Sequence, residues 1–330
     1  MADDAAQWSP DILGDGFQAR SLPLEPDAGE ELSATLVRST PSRRWFLSRR
    51  RPFEGVDVLY IHGWSDYFFQ RGLASFWTER GARFQALDLR RYGRSLRPGQ
   101  VLGHVTSLNQ YDEEIDAALA IMADGTRRRT VILAHSTGGL TASLWAARHP
   151  GRIDALVLNS PWLEFQLDHT ARALIAPIVA IHSHLRPGDL SPQLDDGSYT
   201  RAQAIVDPDG QVQHPDGWRP ARAARMNATT LNAILAGHAT VAAGALGIEV
   251  PICVLLSARS ILPTRWSDDL TGVDSVLDVR NVARASLGLG RSVTIERIDG
   301  ALHDVFLSAP DARADAYARL EWWMRGVLLE

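Results

Sequence analysis

Short apolar runs bounded by turn-forming residues recur along the chain. They occupy residues 56–63, 82–89, 130–135, 153–160, 251–257 and 291–298. Continuous runs of β-branched, aliphatic and aromatic residues of this length are typical of strands that are buried on both faces of a sheet. The pattern therefore predicts a sheet of mostly parallel strands.

Segments with apolar positions at helical spacing separate these runs. They occupy residues 71–81, 111–125, 138–151 and 276–290, and several end at or beside a glycine, which is a common helix stop signal. Strands and helices that alternate at this spacing predict an α/β fold with right-handed connections and a doubly wound, mostly parallel sheet.

The alternation is interrupted between Pro161 and Ile248. This interval contains two apolar helical stretches, 171–185 and 228–246, around a region rich in Asp, Gly and Pro. A loop this long is uncommon in a compact domain unless it serves a site. The interval therefore indicates an addition to the alternating core.

We expect this addition to be an inserted subdomain. It would form a mainly helical cap at residues 161–248, between core parts at residues 1–160 and 249–330. Most side chains of the apolar stretch 173–181 are expected to pack inside the cap, and a minority to line an acyl pocket. The alternative is that these helices simply flank the sheet.

Composition excludes some classes of function. The chain has 330 residues, of which 45% are hydrophobic and 22% charged, which is enough for one large core. Its net charge is −5, and all of its basic residues are arginine. In an acidic chain, the one basic cluster, residues 41–52, favours a charged hairpin edge over a nucleic-acid site. No nucleic-acid partner is therefore expected.

No stretch approaches the roughly 18 consecutive apolar residues that a membrane-spanning helix needs, so no integral membrane association is expected. The acidic N-terminal segment lacks the apolar region of a secretory signal, and a cytoplasmic location is the expectation. The chain has a single cysteine, Cys253, which excludes an intrachain disulfide. Because it lies in an apolar run, a buried thiol is predicted. The sequence leaves the oligomeric state open.

The stretch TVILAHSTGGL, residues 130–140, ends a predicted strand at a serine. In a nucleophile elbow, a strand turns sharply into a helix and holds one serine clear of the sheet, while the first amides of the helix point at the same space. Ser136 fits this arrangement, and Gly138 and Gly139 would allow the helix to approach a neighbouring strand. The alternative is a joint whose serine only caps the helix.

A serine nucleophile needs a base, and the base needs a carboxylate that fixes its orientation. His303 follows the last predicted strand, and Asp274 and Asp278 follow the strand predicted at 251–257. The order serine, acid, histidine, each after a strand end, is that of α/β-hydrolases. Asp274 is the first choice of acid and Asp278 the second, while Asp304 is expected to support the site or to face solvent.

Segments of the chain match sequence motifs of a known enzyme family. They are YIHGWSDY (60–67), DLRRYGRS (88–95), AHSTGGL (134–140) and DSVLD (274–278). They resemble the H-G-x loop, the D-x-R-G-x-G-x-S segment, the elbow and the acid-bearing segment of α/β-hydrolase serine hydrolases, in their monoacylglycerol lipase and lysophospholipase-like branch. The resemblance covers residues 55–160 and 249–328. Ala134, Arg91, Trp64 and the extra residues 258–273 before Asp274 depart from the family pattern.

The resemblance implies a role for each matching position. Ser136 would be the nucleophile, His303 the general base and then acid, and Asp274 the residue that orients it. The backbone amides of Trp64 and Thr137 would form an oxyanion hole. The expected supporting residues are His62, Gly63, His135 and Gly138.

The reaction implied by the resemblance is hydrolysis of a carboxylic ester with an apolar acyl part, such as a monoacylglycerol or a lysophospholipid. An aminopeptidase or an acyltransferase with the same residues, or a non-catalytic ligand-binding protein, are the alternatives. No cofactor is implied.

Three other histidines are candidates for a role at the site, and a structural role is favoured for His135. The His135 side chain is expected on the opposite face of the strand end from Ser136. His182 and His184 have no third ligand at helical or hairpin spacing, so no metal site is expected.

Overall fold

The computed structural model describes residues 7–40, 51–164, 179–193, 195–207, 214–244 and 246–328. These residues contain nine strands: β1 Ser9–Pro10, β2 Phe17–Asp27, β3 Glu30–Ser39, β4 Val56–Ile61, β5 Arg83–Asp88, β6 Arg129–His135, β7 Ala155–Asn159, β8 Ile252–Ser257 and β9 Val293–Ile298. All of them belong to one sheet, in the order β1-β2-β3-β5-β4-β6-β7-β8-β9.

The six strands from β4 to β9 are the six predicted from apolar runs. They pair with one another in parallel register. Every residue of β4, β7 and β8 is buried, as expected for strands with helices on both faces. The prediction of an α/β fold with a mostly parallel sheet is therefore confirmed.

An antiparallel extension at one edge of the sheet was not predicted. β2 and β3 form a hairpin, and β3 pairs antiparallel with β5. The hairpin turn lies at Ala28 and Gly29, which both have a positive φ. In β2, buried leucines at positions 22 and 24 alternate with exposed residues, so the period of two was present in the sequence.

Helices cover both faces of the sheet. They are α1 Arg71–Glu79, α2 Asp112–Met122, α3 Thr137–Arg148, α4 Ser198–Val206, α5 Ala228–Ala242, α6 Val279–Ser286 and α7 Pro310–Leu328. Four of them, α1, α2, α3 and α6, are the predicted helices of the alternating core. The core consists of two clusters of buried apolar side chains. In one cluster α2, α3 and α6 pack against one face of the sheet, and in the other α1 and α7 pack against the opposite face.

The β7–β8 connection, residues 160–251, interrupts the alternation as the sequence predicted. Residues 179–185 are helical, and α4 and α5 lie in the same connection. The division of the chain at residues 161 and 248 into core and cap stays a prediction.

Two predicted features fall largely outside the described residues. They are the arginine cluster, of which the structure describes only the last two positions, and the apolar stretch 173–181, of which it describes only residues 179–181. In the described residues, no helix has both the length and the apolar character needed to cross a bilayer.

Candidate active site

Ser136 forms a sharp turn between β6 and α3. Its backbone has φ 51° and ψ −118°, a left-handed conformation that is strained for a residue with a side chain. A Cβ at position 138 would lie 2.2 Å from the backbone oxygen of His62, and one at position 139 would lie 2.7 Å from the Cβ of Pro161. Only glycine fits at these two positions, so the elbow depends on both.

The structure brings Ser136, His303 and Asp274 together in one hydrogen-bonded chain. The Nε2 atom of His303 lies 3.0 Å from the Ser136 Oγ, and its Nδ1 atom lies 2.9 Å from the Asp274 Oδ2. All three residues are buried, with at most 8% of their surface exposed. Such a chain can carry a proton from the hydroxyl to the imidazole while the carboxylate stabilises the charged ring.

Asp274 reaches the strand end because the intervening chain doubles back. It forms an isolated parallel bridge with Ser260, only three residues after β8 ends. The backbone amides of Val276 and Leu277 each donate to its Oδ1 at 2.8 Å, which leaves Oδ2 for His303. The sixteen residues between the strand end and the acid therefore form a returning loop.

The other candidate acid, Asp278, has a different task. Its carboxylate accepts the backbone amides of Arg280 at 2.9 Å and Asn281 at 3.3 Å, at the start of α6. These contacts make it a helix N-cap.

The His62 turn, residues 62–66, lies beside the elbow. His62 is buried, its Nε2 accepts the backbone amide of Leu89 at 3.1 Å, and its Nδ1 lies 2.7 Å from the Gly63 oxygen. These partners fix the ring with its proton on Nδ1. Across residues 7–40 and the other described ranges, the backbone amides of Trp64 and Thr137 donate to no protein acceptor.

His135 faces the site, which contradicts the sequence expectation. Its ring centroid lies 4.8 Å from that of His303, and its Nδ1 lies 3.1 Å from the Asn159 oxygen. The expectation assumed strand alternation through Ser136, but the left-handed turn at that residue ends the alternation. Burial lowers the pKa of His135, the nearby Asp304 carboxylate opposes this change, and His303 adds to it. His135 is therefore a neutral neighbour of the His303 ring.

Asp304 is fully buried and does not face solvent. Its Oδ1 accepts the Asn159 amide at 2.7 Å and the Phe306 backbone amide at 2.9 Å, and its Oδ2 accepts the Gln70 amide at 2.8 Å. These three donors are neutral, and they hold the chain that follows His303.

Asn159 and Tyr199 were missed by sequence reasoning. The backbone oxygen of Asn159 accepts the Ser136 amide at 3.0 Å, and its side-chain oxygen accepts the Val305 amide at 3.2 Å. Asn159 thus connects the elbow to the His303 loop. A polar residue at the end of the buried strand β7 was the available signal.

Tyr199, on α4, reaches the same loop from the β7–β8 connection. Its hydroxyl oxygen accepts the backbone amide of Asp304 at 3.1 Å, and its ring meets that of His303 edge-on at 5.5 Å. Burial, and then the charge of Asp304, raise the pKa of the Tyr199 hydroxyl well above its usual value. The hydroxyl therefore stays protonated.

The structure shows the surroundings of the three single-residue departures from the family pattern. Arg91 takes a left-handed φ of 61°, and its guanidinium donates to the His104 oxygen at 2.8 Å and to Glu30 at 2.9 Å. Ala134 is a fully buried residue of β6. The indole of Trp64 donates to the Ala224 oxygen at 2.8 Å.

Other reactive side chains lie outside this cluster. His182 pairs with Asp189 at 3.0 Å, and in the ranges that the structure describes no three His, Cys, Asp or Glu side chains lie close enough to hold a metal. Cys253 is buried, as predicted, and burial raises the pKa of its thiol.

Comparison with known proteins identifies related sequences. The family model described as serine aminopeptidase, S33, matches residues 56–308. A monoacylglycerol lipase of Mycolicibacterium smegmatis is 29% identical over 154 residues, which are 46% of this chain and 53% of that protein. Lysophospholipase L2 of Escherichia coli K12 is 40% identical over 78 residues, which are 23% of each protein. The chain thus aligns with about half, or less, of these curated relatives.

Solved structures share the fold. The monoacylglycerol lipase of Paleococcus ferrophilus has a TM-score of 0.61 at 19% identity and covers 82% of this chain and 94% of its own. A monoglyceride lipase of Saccharomyces cerevisiae has a TM-score of 0.65 at 12% identity and covers 98% of this chain and 96% of its own. The chain therefore has the α/β-hydrolase fold, and because the family model matches more than half of its residues, it belongs to the serine aminopeptidase S33 family.

Proposed function

We propose that this chain hydrolyses carboxylic esters that carry an apolar acyl group, with Ser136 as the nucleophile. The single observation that carries the proposal is the buried hydrogen-bonded chain from Asp274 through His303 to Ser136, with contacts of 2.9 and 3.0 Å. The strained backbone at Ser136 supports it, because strain of this kind persists where the surrounding structure holds a functional group in place.

The reaction has two halves. The Ser136 Oγ attacks the ester carbonyl while the His303 Nε2 takes the hydroxyl proton, and Asp274 stabilises the imidazolium that forms. His303 then gives the proton to the departing alcohol, which leaves an acyl group on Ser136. Water, activated by His303, attacks this acyl-enzyme and releases the carboxylic acid.

The negative charge that develops on the carbonyl oxygen needs hydrogen-bond donors. The backbone amides of Trp64 and Thr137 are the proposed pair, since both flank the elbow and neither donates to an acceptor in the described part of the chain. Each such donor lowers the barrier by about 3–4 kcal/mol in enzymes where one has been removed.

We assign residues 161–248 as the cap over this site. Contacts of Tyr199 with the His303 loop and of Ala224 with the His62 turn support this assignment. The names of the relatives favour a monoacylglycerol or a lysophospholipid as the substrate. A location in the cytoplasm and independence from metal and cofactor stay predictions.

The test is a series of p-nitrophenyl esters from acetate to palmitate, with wild type compared with Ser136→Ala. We expect saturable turnover by wild type and at least a thousandfold lower kcat in the variant, since removal of a triad member costs this much or more. Turnover that Ser136→Ala retains would overturn the assignment of the nucleophile. If folded wild type were silent on all of the esters, amino-acid p-nitroanilides would test the aminopeptidase alternative.

A further inference from the structure

One residue of the β7–β8 connection holds two consecutive side chains of the His62 turn. The backbone oxygen of Ala224 accepts the indole N–H of Trp64 at 2.8 Å, and its backbone amide donates to the Ser65 hydroxyl oxygen at 3.0 Å. Ser65 itself has a left-handed φ of 55°. A strained position of this kind keeps its conformation only when neighbouring contacts hold it.

An ion pair holds the next residue of the turn. The Arg219 Nε lies 2.9 Å from the Asp66 Oδ1, and each side chain is only 11% exposed. The guanidinium also lies over the Phe69 ring, 4.5 Å from its centroid. A pair this well buried is sensitive to loss of one partner, because the other charge is then left uncompensated.

Arg219 also connects the turn to the helix that contacts His303. Its Nη2 donates to the Gln203 side-chain oxygen, and Gln203 is a buried residue of α4. The same helix carries Tyr199, whose hydroxyl accepts the Asp304 amide. Arg219 therefore lies between the two parts of the site, and it contacts neither Ser136 nor His303 in the hydrogen bonds and ion pairs of the described residues.

We infer that Arg219 and Ser65 are positioning residues for ester hydrolysis. They hold the His62 turn so that the Trp64 amide faces the carbonyl oxygen of the substrate in the transition state. This inference rests on the proposed function. A displaced oxyanion donor weakens binding of the transition state and has little effect on binding of the substrate, so the loss falls on kcat and not on KM.

The experiment compares Arg219→Met, Arg219→Lys and Ser65→Ala with wild type on the best p-nitrophenyl ester. The matched control is Arg313→Met, which removes the 2.7 Å ion pair of Arg313 with Asp207. That pair also joins the β7–β8 connection to the core, and among the described residues none of its hydrogen bonds or ion pairs involves the His62 turn. Inhibition by an alkyl trifluoromethyl ketone, whose adduct with Ser136 places an oxyanion in the same hole, supplies a second readout.

We expect Arg219→Met and Ser65→Ala to lower kcat about tenfold or more, with KM changed less than about threefold, since small misplacements of a catalytic group cost up to a hundredfold. The trifluoromethyl ketone should bind more weakly by a similar factor. Arg219→Lys should recover part of the loss, and Arg313→Met should keep the kcat of wild type.

Equal kcat in Arg219→Met and Arg313→Met, or a loss that appears only in KM, would overturn the inference. If Arg219→Met does not fold, Ser65→Ala decides the question, because it removes only one hydroxyl. Wild type that lacks Ser136-dependent turnover would refute the proposed function, whereas active wild type with unchanged positioning variants would refute this inference alone.

Discussion

Asp274 and Asp278 lie four residues apart, and their carboxylates have different partners. Asp274 contacts His303, whereas Asp278 caps α6. We predict that Asp274→Asn lowers kcat by about four orders of magnitude, because an amide stabilises the wrong tautomer of the histidine. Asp278→Asn should keep kcat and change the free energy of unfolding by less than about 1 kcal/mol, because Asn also caps helices well. Ester turnover and urea unfolding of both variants check this, and a larger kcat loss at position 278 would contradict it.

The burial of His135 should make the free energy of unfolding depend on pH. Its folded-state pKa is lowered by burial, so below the unfolded-state value of about 6.5 the unfolded chain binds a proton that the folded chain resists. The contribution of the neutral ring to the free energy of unfolding is therefore fully present above about pH 6.5 and is lost as the pH falls below that value.

The check is urea unfolding at pH 7.5 and pH 5 for wild type and His135→Gln. Wild type should lose more stability between the two values than the variant does, by up to about 1.4 kcal/mol for each unit of pKa difference. An equal loss in both proteins would contradict a buried neutral histidine.

Residues of the candidate site differ in how well sequence could predict them. Ser136, Asp274 and His303 follow strand ends in a recognisable order and within short motifs. Asn159 and Tyr199 act through contacts with the chain around Asp304, which is 145 and 105 positions away respectively. No local pattern encodes such contacts. The position of His135 was missed because the left-handed turn at Ser136 ends the strand alternation on which the expectation rested.

At the scale of elements, the start of α3 packs directly against the end of β4. A Cβ at position 138 would lie 2.2 Å from the His62 backbone oxygen and 2.9 Å from that of Ile61. Gly138→Ala should therefore move the elbow or the His62 turn. We expect kcat to fall at least tenfold and the free energy of unfolding to fall by about 1–3 kcal/mol, as for other overpacked sites.

Gly326→Ala in α7 is the matched control. A Cβ there meets no atom of the described residues within 4 Å, its own helix backbone aside, so alanine should raise the free energy of unfolding by about 0.5–1 kcal/mol through helix propensity alone. Thermal unfolding and ester turnover of the two variants form the measurement. Activity of Gly138→Ala at the level of Gly326→Ala would contradict the close approach.

The elements that sequence reasoning missed have weak or mixed patterns. α7 buries Ala312, Ala316, Leu320 and Met324 at helical spacing, but alanines and interspersed charges make that stripe faint. α4 follows a region rich in Asp and Gly and buries only Ser198, Ala202 and Gln203. Small and polar residues carry little hydrophobic signal, so its contact with His303 could not be predicted.

At the scale of the whole molecule, parallel strands collect residues that are distant in sequence. His62, Ser136 and Asn159 lie at or just after the carboxyl ends of three neighbouring strands, β4, β6 and β7. Loops at this edge of an open α/β sheet form the site. The six apolar runs were sufficient to predict this arrangement, because each run is long enough to be a buried strand and short enough to exclude a membrane span.

The β7–β8 connection also contacts the site, in addition to the loops at the strand ends. Tyr199 contacts the His303 loop, and Ala224 and Arg219 contact the His62 turn. The interruption of the alternation of strands and helices predicted that this part of the chain is an addition to the core. Its sequence could not predict which residues contact the core, since those contacts depend on how the connection folds back.

Covalent labelling with an alkyl fluorophosphonate, followed by peptide mapping, tests the role of Ser136 most directly. We predict one adduct on the peptide that contains Ser136, loss of labelling in Ser136→Ala, and much slower labelling in His303→Ala, because the hydroxyl then has no base. Labelling of another residue, or equal labelling of wild type and Ser136→Ala, would contradict the claim that Ser136 is the activated nucleophile.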